Sequence, residues 1–273
     1  HVDEVPDPGC FMKWENTGTP IIIVHGMDGE VRAFYNTCRH RGAPVVTEEK
    51  GKAPRLICGY HNWTYKTDGT LVGVPEKQDF GPDFDMSCRG LIPVRCEMFG
   101  NLIFVNFDDD AQNLKDWLGP VSEEWEEFQF DKIKLAARYS FDLQCNWKVA
   151  MEANMEVYHV PFIHPDTVAP LVDSKRNVNT MYRNGHARML APAPQETDRE
   201  HVRAVDSPPE WQEINTVGEL GRTCTQSYTM FPNWVSPLSN YFVPPLVFWP
   251  TGLNTSRFEL VTMAMDWGDG PAP

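Results

Sequence analysis

Apolar and polar residues alternate along the first hundred positions in a way that predicts β-hairpins. Ile21 to Val24 is an apolar, β-branched run, Asp28-Gly29 is a turn signal, and the alternation resumes from Val31 to Asn36. A second such pair of runs lies within Arg95 to Phe107, on either side of Gly100. Turn residues between alternating runs are typical of hairpins. We therefore expect a small antiparallel β domain with long loops.

The second part of the chain mixes helical and strand patterns. It contains, in order, a helix-like segment from Asn113 to Phe128 broken at Pro120, a strand from Lys132 to Leu143, a helix beginning near Asn146, a hairpin from Val178 to Leu190 around Asn184-Gly185, and a strand from Arg257 to Trp267. This order predicts an α+β arrangement in which helices lie against an antiparallel sheet. We place the boundary at the acidic run Asp108 to Asp110 and expect domains at 1–112 and 113–273.

The run from Thr223 to Ser256 carries no charge, as a membrane span would. Its five prolines would each break a helix, so we predict strands and loops there: Pro232, Pro237, Pro244, Pro245 and Pro250.

Composition narrows the class of protein. With 41% hydrophobic and 23% charged residues the chain is typical of a globular protein. Its net charge of -14 would repel phosphate backbones and anionic membrane surfaces, so neither nucleic acid nor a membrane is an expected partner.

Seven thinly spread cysteines, an odd number, favour a reducing, cytoplasmic location over a secreted disulfide scaffold. No signal peptide is visible. The chain opens without methionine and closes just after a strand-like run, so we expect a piece of a longer protein whose catalytic domain is truncated at its carboxyl-terminal end.

Two cysteines and two histidines form the first candidate site. Cys38, His40, Cys58 and His61 follow the pattern CxHx17CxxH, so each of two short loops supplies one residue of each type. A structural zinc site usually takes two cysteines from one knuckle and two histidines from elsewhere. In a Rieske [2Fe–2S] centre one iron takes both cysteines and the other both histidines, which suits two mixed loops. Zinc remains the weaker alternative.

Glycines beside these ligands fit the same interpretation. Gly42 and Gly59 allow the backbone to approach a cluster and to direct N–H groups at sulfur.

The second candidate site lies on the segment from Asn146. Glu152, Glu156 and His159 are spaced to share one stripe of a helix, which is an unusual stripe to bury unless it meets a metal or a polar network. His164 would point elsewhere on a continuous helix, and we expect Pro161 to break the helix and return His164 towards His159. Two histidines with a carboxylate are typical of non-haem Fe(II) oxygenases.

These motifs resemble the Rieske non-haem iron oxygenases, specifically the large alpha subunit of the ring-hydroxylating type. CRHRGAP and CGYHNWTY are similar to the family's cluster signature, and NWKVAMEANMEVYHVPFIHP is similar to its mononuclear-iron helix. The resemblance implies these ligand sets: Cys38 and Cys58 on one cluster iron, His40 and His61 on the other, and His159 and His164 on a mononuclear Fe(II).

The resemblance also implies an electron path and an assembly. Glu156 matches the family's bridging carboxylate, which would link His61 of one subunit to His159 of its neighbour in a homotrimer, with or without a small beta subunit. Electrons would pass from NAD(P)H through a separate reductase, and in some members a ferredoxin, to the cluster and then to the iron and O2.

Two features depart from the family pattern. The bridging residue is most familiar as Asp, and the Glu at position 156 is similar to that of some members that act on other substrates, including quaternary amines. The family's third iron ligand is an Asp on a later helix that this sequence lacks, and Asp266 and Asp269 are expected to be turn residues. We therefore expect the third ligand outside this chain.

A small aromatic substrate is the first expectation, to be hydroxylated by dioxygenation or monooxygenation, and a quaternary ammonium compound is the alternative. Candidate pocket walls, which could equally be ordinary core, are Phe231, Trp234, Tyr241, Phe242, Phe248 and Trp249. An aromatic acid would need a clamp from Arg183, Arg188, Arg222 or Arg257. A Rieske electron carrier or a zinc-stapled binding module would leave the Glu156 segment unexplained.

Overall fold

The computed structural model describes residues 1–194 and 211–268, together with residues 270 and 272. The chain divides into two compact units, His1–Leu114 and Lys115–Pro273. Within the described residues, no helix is long and apolar enough to cross a membrane.

The first unit is built almost entirely of short antiparallel strands. They are β1 Cys10–Trp14, β2 Ile21–His25, β3 Val31–Tyr35, β4 Lys50–Lys52, β5 Arg55–Ile57, β6 Thr64–Lys66, β7 Leu71–Gly73, β8 Pro93–Phe99 and β9 Leu102–Asn106. One sheet has the order β4-β1-β2-β3-β8-β9, and a smaller sheet has the order β5-β6-β7. The predicted hairpins correspond to β2–β3 and β8–β9 and are confirmed. Single turns of 3-10 helix lie at Val2–Glu4, Lys77–Phe80 and Ser87–Arg89.

The candidate cluster loops lie on the apolar core of this unit. Cys38 and Cys58 are buried in the same hydrophobic cluster as Phe34, Trp63 and Tyr65. Packed aromatic rings restrict the movement of neighbouring side chains, so the core holds the two loops in a fixed arrangement.

The second unit combines one large antiparallel sheet with short helices. Its elements are α1 Leu114–Leu118 at the boundary, α2 Pro120–Glu124, β10 Ile133–Leu143, α3 Trp147–Glu152, α4 Val160–Ile163, β11 Val178–Met181, β12 Ala187–Pro192, α5 Glu219–Thr223, β13 Cys224–Met230, β14 Trp234–Leu238, β15 Phe242–Val243, β16 Leu246–Pro250 and β17 Ser256–Met265. The described strands have the order β10-β17-β16-β14-β13-β12-β11, and β15 pairs with β17. The α+β prediction is confirmed, as are strands in the uncharged run.

The two faces of this sheet have different coverings. On one face, Val157 and Val160 pack on Met189 and Ala191 of β12, and Met151 of α3 packs on β14 and β16. On the other face, the buried Trp125 of a 3-10 turn at Trp125–Phe128 packs against Tyr228 and Trp234. The segment from 147 to 164 therefore lies on one face only.

The prediction of one helix running from Asn146 to His159 is wrong. Asn146 does cap α3 by accepting the amide of Lys148 at 3.0 Å, but α3 ends at Glu152. The Glu156 carboxylate accepts the amides of Tyr158 and His159, which a continuous helix would have bonded to carbonyls of the preceding turn. A turn therefore separates α3 from α4.

The role predicted for Pro161 is also wrong. It lies in the first turn of α4, after His159, instead of breaking a helix there. A proline lacks an N–H that the first turn of a helix does not use, so it is readily accommodated at that position.

Candidate metal centres

The two cysteine loops have matching main-chain hydrogen bonds. Each cysteine amide donates to the carbonyl five residues ahead, at 2.8 Å for Cys38 and 3.0 Å for Cys58. Each cysteine carbonyl accepts the amide four residues ahead, at 3.0 and 2.9 Å respectively. Left-handed backbone at Gly42 (φ 77°) and Asn62 (φ 57°) occupies the equivalent place in the two turns. The loops are thus two copies of one turn, each presenting a cysteine and a histidine.

Gly59, by contrast, has no positive φ, and a Cβ there would meet nothing within 4 Å. Of the two glycines predicted to matter beside the ligands, only Gly42 has a backbone conformation that favours glycine.

The two histidines face one another through the same ring atom. His40 Nδ1 lies 3.2 Å from His61 Nδ1, and the rings meet edge to face. Trp63 stacks on His40 with ring centroids 4.9 Å apart, and Tyr60 packs on His61 at 3.9 Å. Burial, together with the neighbouring His61, lowers the pKa of His40 and favours the neutral imidazole that binds metals.

The two cysteines form a second, drier pair. Both are buried, and burial raises the pKa of Cys38 although a bond from Tyr65 opposes that shift. The Tyr65 hydroxyl lies 3.2 Å from Cys38 Sγ and accepts the amide of Arg39 at 3.0 Å. With that lone pair engaged, the phenolic proton can be donated to sulfur.

Sequence reasoning did not single out Tyr65. It is the last residue of the segment CGYHNWTY, and in the structure it is the buried residue of β6.

The four residues are grouped by type, with the two histidines in contact and the two cysteines buried in one apolar cluster. Within the described ranges, no group of three or more His, Cys, Asp or Glu side chains is arranged to hold one metal ion. A structural zinc site needs four such ligands around one ion. A Rieske cluster needs one cysteine pair and one histidine pair, on separate irons, and these are the pairs formed here.

A second pair of histidines lies on the turn between α3 and α4 and just after α4. The rings of His159 and His164 approach to 5.5 Å between centroids at 73°. His159 Nδ1 donates to the Glu156 carboxylate, which leaves Nε2 as the ring atom available to a metal. Burial would raise the pKa of Glu156, but hydrogen bonds from His159 and from two backbone amides outweigh it and leave that pKa below its ordinary value. Glu152, expected on the same stripe, is exposed at the end of α3.

The two late aspartates do not join this pair in the part of the chain that is described. Asp266 accepts from Lys134 Nζ at 2.7 Å and from the amide of Gly268 at 2.8 Å, as a turn residue would. Asp269 lies outside the described residues.

The predicted aromatic walls are scattered over the unit. Phe248 is buried beneath α3, but Trp234 packs against Trp125 on the opposite face of the sheet. Phe242 meets Trp211 at 4.9 Å, and Phe231 is 54% exposed. One of the six therefore lies under the histidine segment through contacts that the structure shows.

Three of the four arginines considered for a substrate clamp already pair with acids. Arg188 pairs with Glu124, Arg222 with Glu213 and Arg257 with Asp142. An ion pair inside the unit satisfies a guanidinium that would otherwise be available to a substrate.

Family models match both units. The Rieske [2Fe-2S] domain model matches residues 1–94, and the model of the catalytic domain of ring-hydroxylating alpha subunits matches residues 130–266. The glycine betaine monooxygenase oxygenase subunit of Chromohalobacter salexigens is 37% identical over 170 residues, covering 62% of this chain and 38% of that protein. The 2-aminobenzenesulfonate 2,3-dioxygenase subunit alpha of an Alcaligenes species is 34% identical over 192 residues, covering 68% and 49%.

A solved quaternary ammonium Rieske monooxygenase has a similar fold. It superposes with a TM-score of 0.78 at 25% identity, over 97% of this chain and 68% of that one. The chain thus spans less than half the length of the two curated relatives and about two thirds of the solved structure.

Proposed function

The chain belongs to the Rieske non-haem iron oxygenases, as a ring-hydroxylating type alpha subunit, and from that premise we propose that it oxidises a small organic substrate with O2. The observation that carries the proposal is the presence of both histidine pairs on one chain, one beside two buried cysteines and the other beside Glu156. An electron carrier would use only the first pair. We assign residues 1–112 to the Rieske domain and 113–273 to the catalytic domain.

Each predicted residue has a separate task in this proposal. Cys38, Cys58, His40 and His61 hold the [2Fe–2S] cluster, and His159 with His164 holds the mononuclear iron. When bound, the cluster supplies electrons singly and the iron binds and activates dioxygen. Glu156 fixes the tautomer and the ring orientation of His159 by accepting its Nδ1 proton.

Partners follow from the same assignment. Electrons come from NAD(P)H through a reductase, with or without a ferredoxin. Glu156 bridges to His61 of a neighbouring subunit in a homotrimer, with or without a beta subunit. All seven cysteines are free, which fits a reducing cytoplasm.

Metal analysis of anaerobically purified protein tests the cluster. The dithionite-reduced sample should give a rhombic electron paramagnetic resonance signal of low average g, with about two cluster irons per chain and one more when the mononuclear site is filled. A sample without that signal and with stoichiometric zinc would refute the oxygenase assignment.

Replacement of Glu156 tests the link between the two sites. Glu156→Ala should leave the cluster signal intact and slow substrate oxidation by roughly 100-fold or more, because His159 loses the group that orients it. Glu152→Ala is the matched control, since Glu152 is exposed on the same segment, and it should turn over normally. Normal turnover by Glu156→Ala would overturn its role.

An aromatic compound is the first candidate substrate, supported by the relative named as a 2-aminobenzenesulfonate dioxygenase subunit. A quaternary ammonium compound is the second, favoured by the glutamate at position 156 and by the relative named as a glycine betaine monooxygenase subunit. Substrate-dependent O2 consumption with each class, followed by product identification, distinguishes them.

A further inference from the structure

Three hydroxyl side chains form a stripe along β13. Thr225, Ser227 and Thr229 alternate along the strand and so project from the same face of the sheet. Ser227 and Thr229 are each 6% exposed, no hydrogen bond joins either hydroxyl to a residue that the structure describes, and neither oxygen is fully enclosed. A hydroxyl that is accessible and has no protein partner can bond to a ligand or to ordered water, whereas an enclosed one such as Ser236 cannot reach either.

Strand register places one side of this stripe beside the histidine segment. Ser227 is the cross-strand partner of Met189, and Thr225 is that of Ala191. Directly opposed residues share a face of an antiparallel sheet. Met189 and Ala191 pack against Val157 and Val160, the buried residues on either side of His159.

The other side of the stripe adjoins the core beneath α3. Thr229 is the cross-strand partner of Val235, which packs with Met151 and Phe248. The stripe therefore lies between two apolar clusters, both of which support the segment that carries the candidate iron ligands. It is a polar strip on an otherwise apolar face of the sheet, and we call this face, which carries Met189, Ser227 and Val235, the floor.

The cations of these strands do not lie on this floor. Arg188 pairs across the sheet with Tyr228, on the opposite face, and its guanidinium lies 3.1 Å from Glu124. The described residues of β12, β13 and β14 that share the floor are uncharged. Neutral O–H donors are consequently the polar groups that these strands offer there.

We propose that Ser227 and Thr229, with Thr225 at the edge, bind an acid group of the substrate, a carboxylate or sulfonate, and so orient the rest of the molecule over the apolar floor. This rests on the proposed function. Neither an aromatic ring nor a quaternary ammonium group can accept a hydrogen bond from a hydroxyl in this way, whereas an acid oxygen forms strong charge-assisted bonds with it. Both candidate substrate classes can carry such a group.

The test compares matched probes on the metal-loaded protein. One pair is 2-aminobenzenesulfonate and aniline, and the other is glycine betaine and tetramethylammonium, so each pair differs chiefly in the acid group. Calorimetric titration should show that at least one acid binds more tightly than its partner. In the Ser227→Ala/Thr229→Val double variant, the Kd of that acid should rise by about tenfold or more, with little change for the partner.

Two further variants separate recognition from structure. Ser236→Ala removes a fully buried hydroxyl from the neighbouring strand, on the face shared with Tyr228, and should leave the preference for the acid unchanged. Thr229→Ser in the Ser227 wild-type background keeps the donor and should also retain it. If the double variant fails to fold, Ser227→Ala alone is used, with its folding checked by thermal melting. The Kd of the acid should then rise by a smaller factor.

Each outcome decides the proposal. Binding of neither acid by the wild type, equal binding of acid and partner, or an unchanged preference in the double variant overturns it. The wild type could show both iron signals and consume O2 with these probes, and the double variant could bind the acid as tightly as the wild type does. That result would support the proposed function and reject this inference. A protein without the iron signals loses the proposed function itself.

Discussion

Replacing Tyr65 by phenylalanine should lower the midpoint potential of the cluster. The substitution removes one oxygen from a side chain that is fully buried among the ligand loops. That oxygen lies 3.2 Å from Cys38 Sγ and can donate its proton to the sulfur. A donor to a cluster sulfur stabilises the reduced, more negative form more than the oxidised form, so its loss makes reduction harder.

The size of the shift follows from the hydrogen bond. A bond to a charged acceptor contributes roughly 1 kcal/mol more than a bond to a neutral one. For a one-electron couple a tenfold change in equilibrium corresponds to about 59 mV, so about 1 kcal/mol gives a downward shift on the order of 40 mV. Arg39 also loses an acceptor for its amide, which should lower the melting temperature by a few degrees.

A redox titration followed by electron paramagnetic resonance measures the shift. Tyr60→Phe is the matched control, because its hydroxyl makes no hydrogen bond with a described residue and its ring still packs on His61. That variant should stay within about 10 mV of the wild type. An unchanged potential in Tyr65→Phe, with the cluster fully loaded in both proteins, would refute the assignment of Tyr65 as a donor to sulfur.

Two further substitutions test local features of the fold. Gly42→Ala should destabilise the first unit by about 1 kcal/mol and reduce cluster retention, because the backbone φ at Gly42 is +77°. Gly59→Ala is the control and should melt like the wild type, since Gly59 has neither a positive φ nor a close neighbour. Equal melting temperatures for the two variants would contradict the argument from φ. His186 is fully buried between the carbonyl of Trp117 and the amide of Phe231, and burial lowers its pKa. The folded state therefore resists a proton that the unfolded state takes up below about pH 6.5, so stability should fall on acidification through that value by at most ~1.4 kcal/mol per pH unit. Melting temperatures from pH 7.5 to 5.5 should fall less steeply for His186→Gln than for the wild type, and an equal slope in the two proteins would show that another group titrates.

Local sequence patterns predicted the strands well because hairpins are encoded by neighbouring residues. Alternation around Asp28-Gly29 and around Asn184-Gly185 was enough to place both hairpins. The break after Glu152 was beyond such reasoning, because it depends on the Glu156 carboxylate bonding to backbone amides ahead of it. Spacing treats that residue as one more helical position.

The candidate sites divide in the same way. Ligand types and spacing drew attention to the four loop residues and to the two later histidines, since metal ligands are recognisable one by one. Tyr65 and Ser227 were missed, because their importance comes from partners far along the chain. Aromatic residues of the uncharged run were named as walls on composition alone, and Trp234 lies on the opposite face because facing is decided by strand register.

The two differently covered faces of the large sheet have a consequence for how this enzyme can diverge. Along β12 and β13, Arg188 and Tyr228 hold the scaffold together, and their immediate neighbours Met189 and Ser227 lie on the other side, towards the histidine segment. Residues that stabilise the fold therefore alternate along these strands with residues that, under the proposal above, contact the substrate. A lineage, or a directed-evolution library, confined to positions 225, 227 and 229 can explore new substrates while the opposite face keeps the fold.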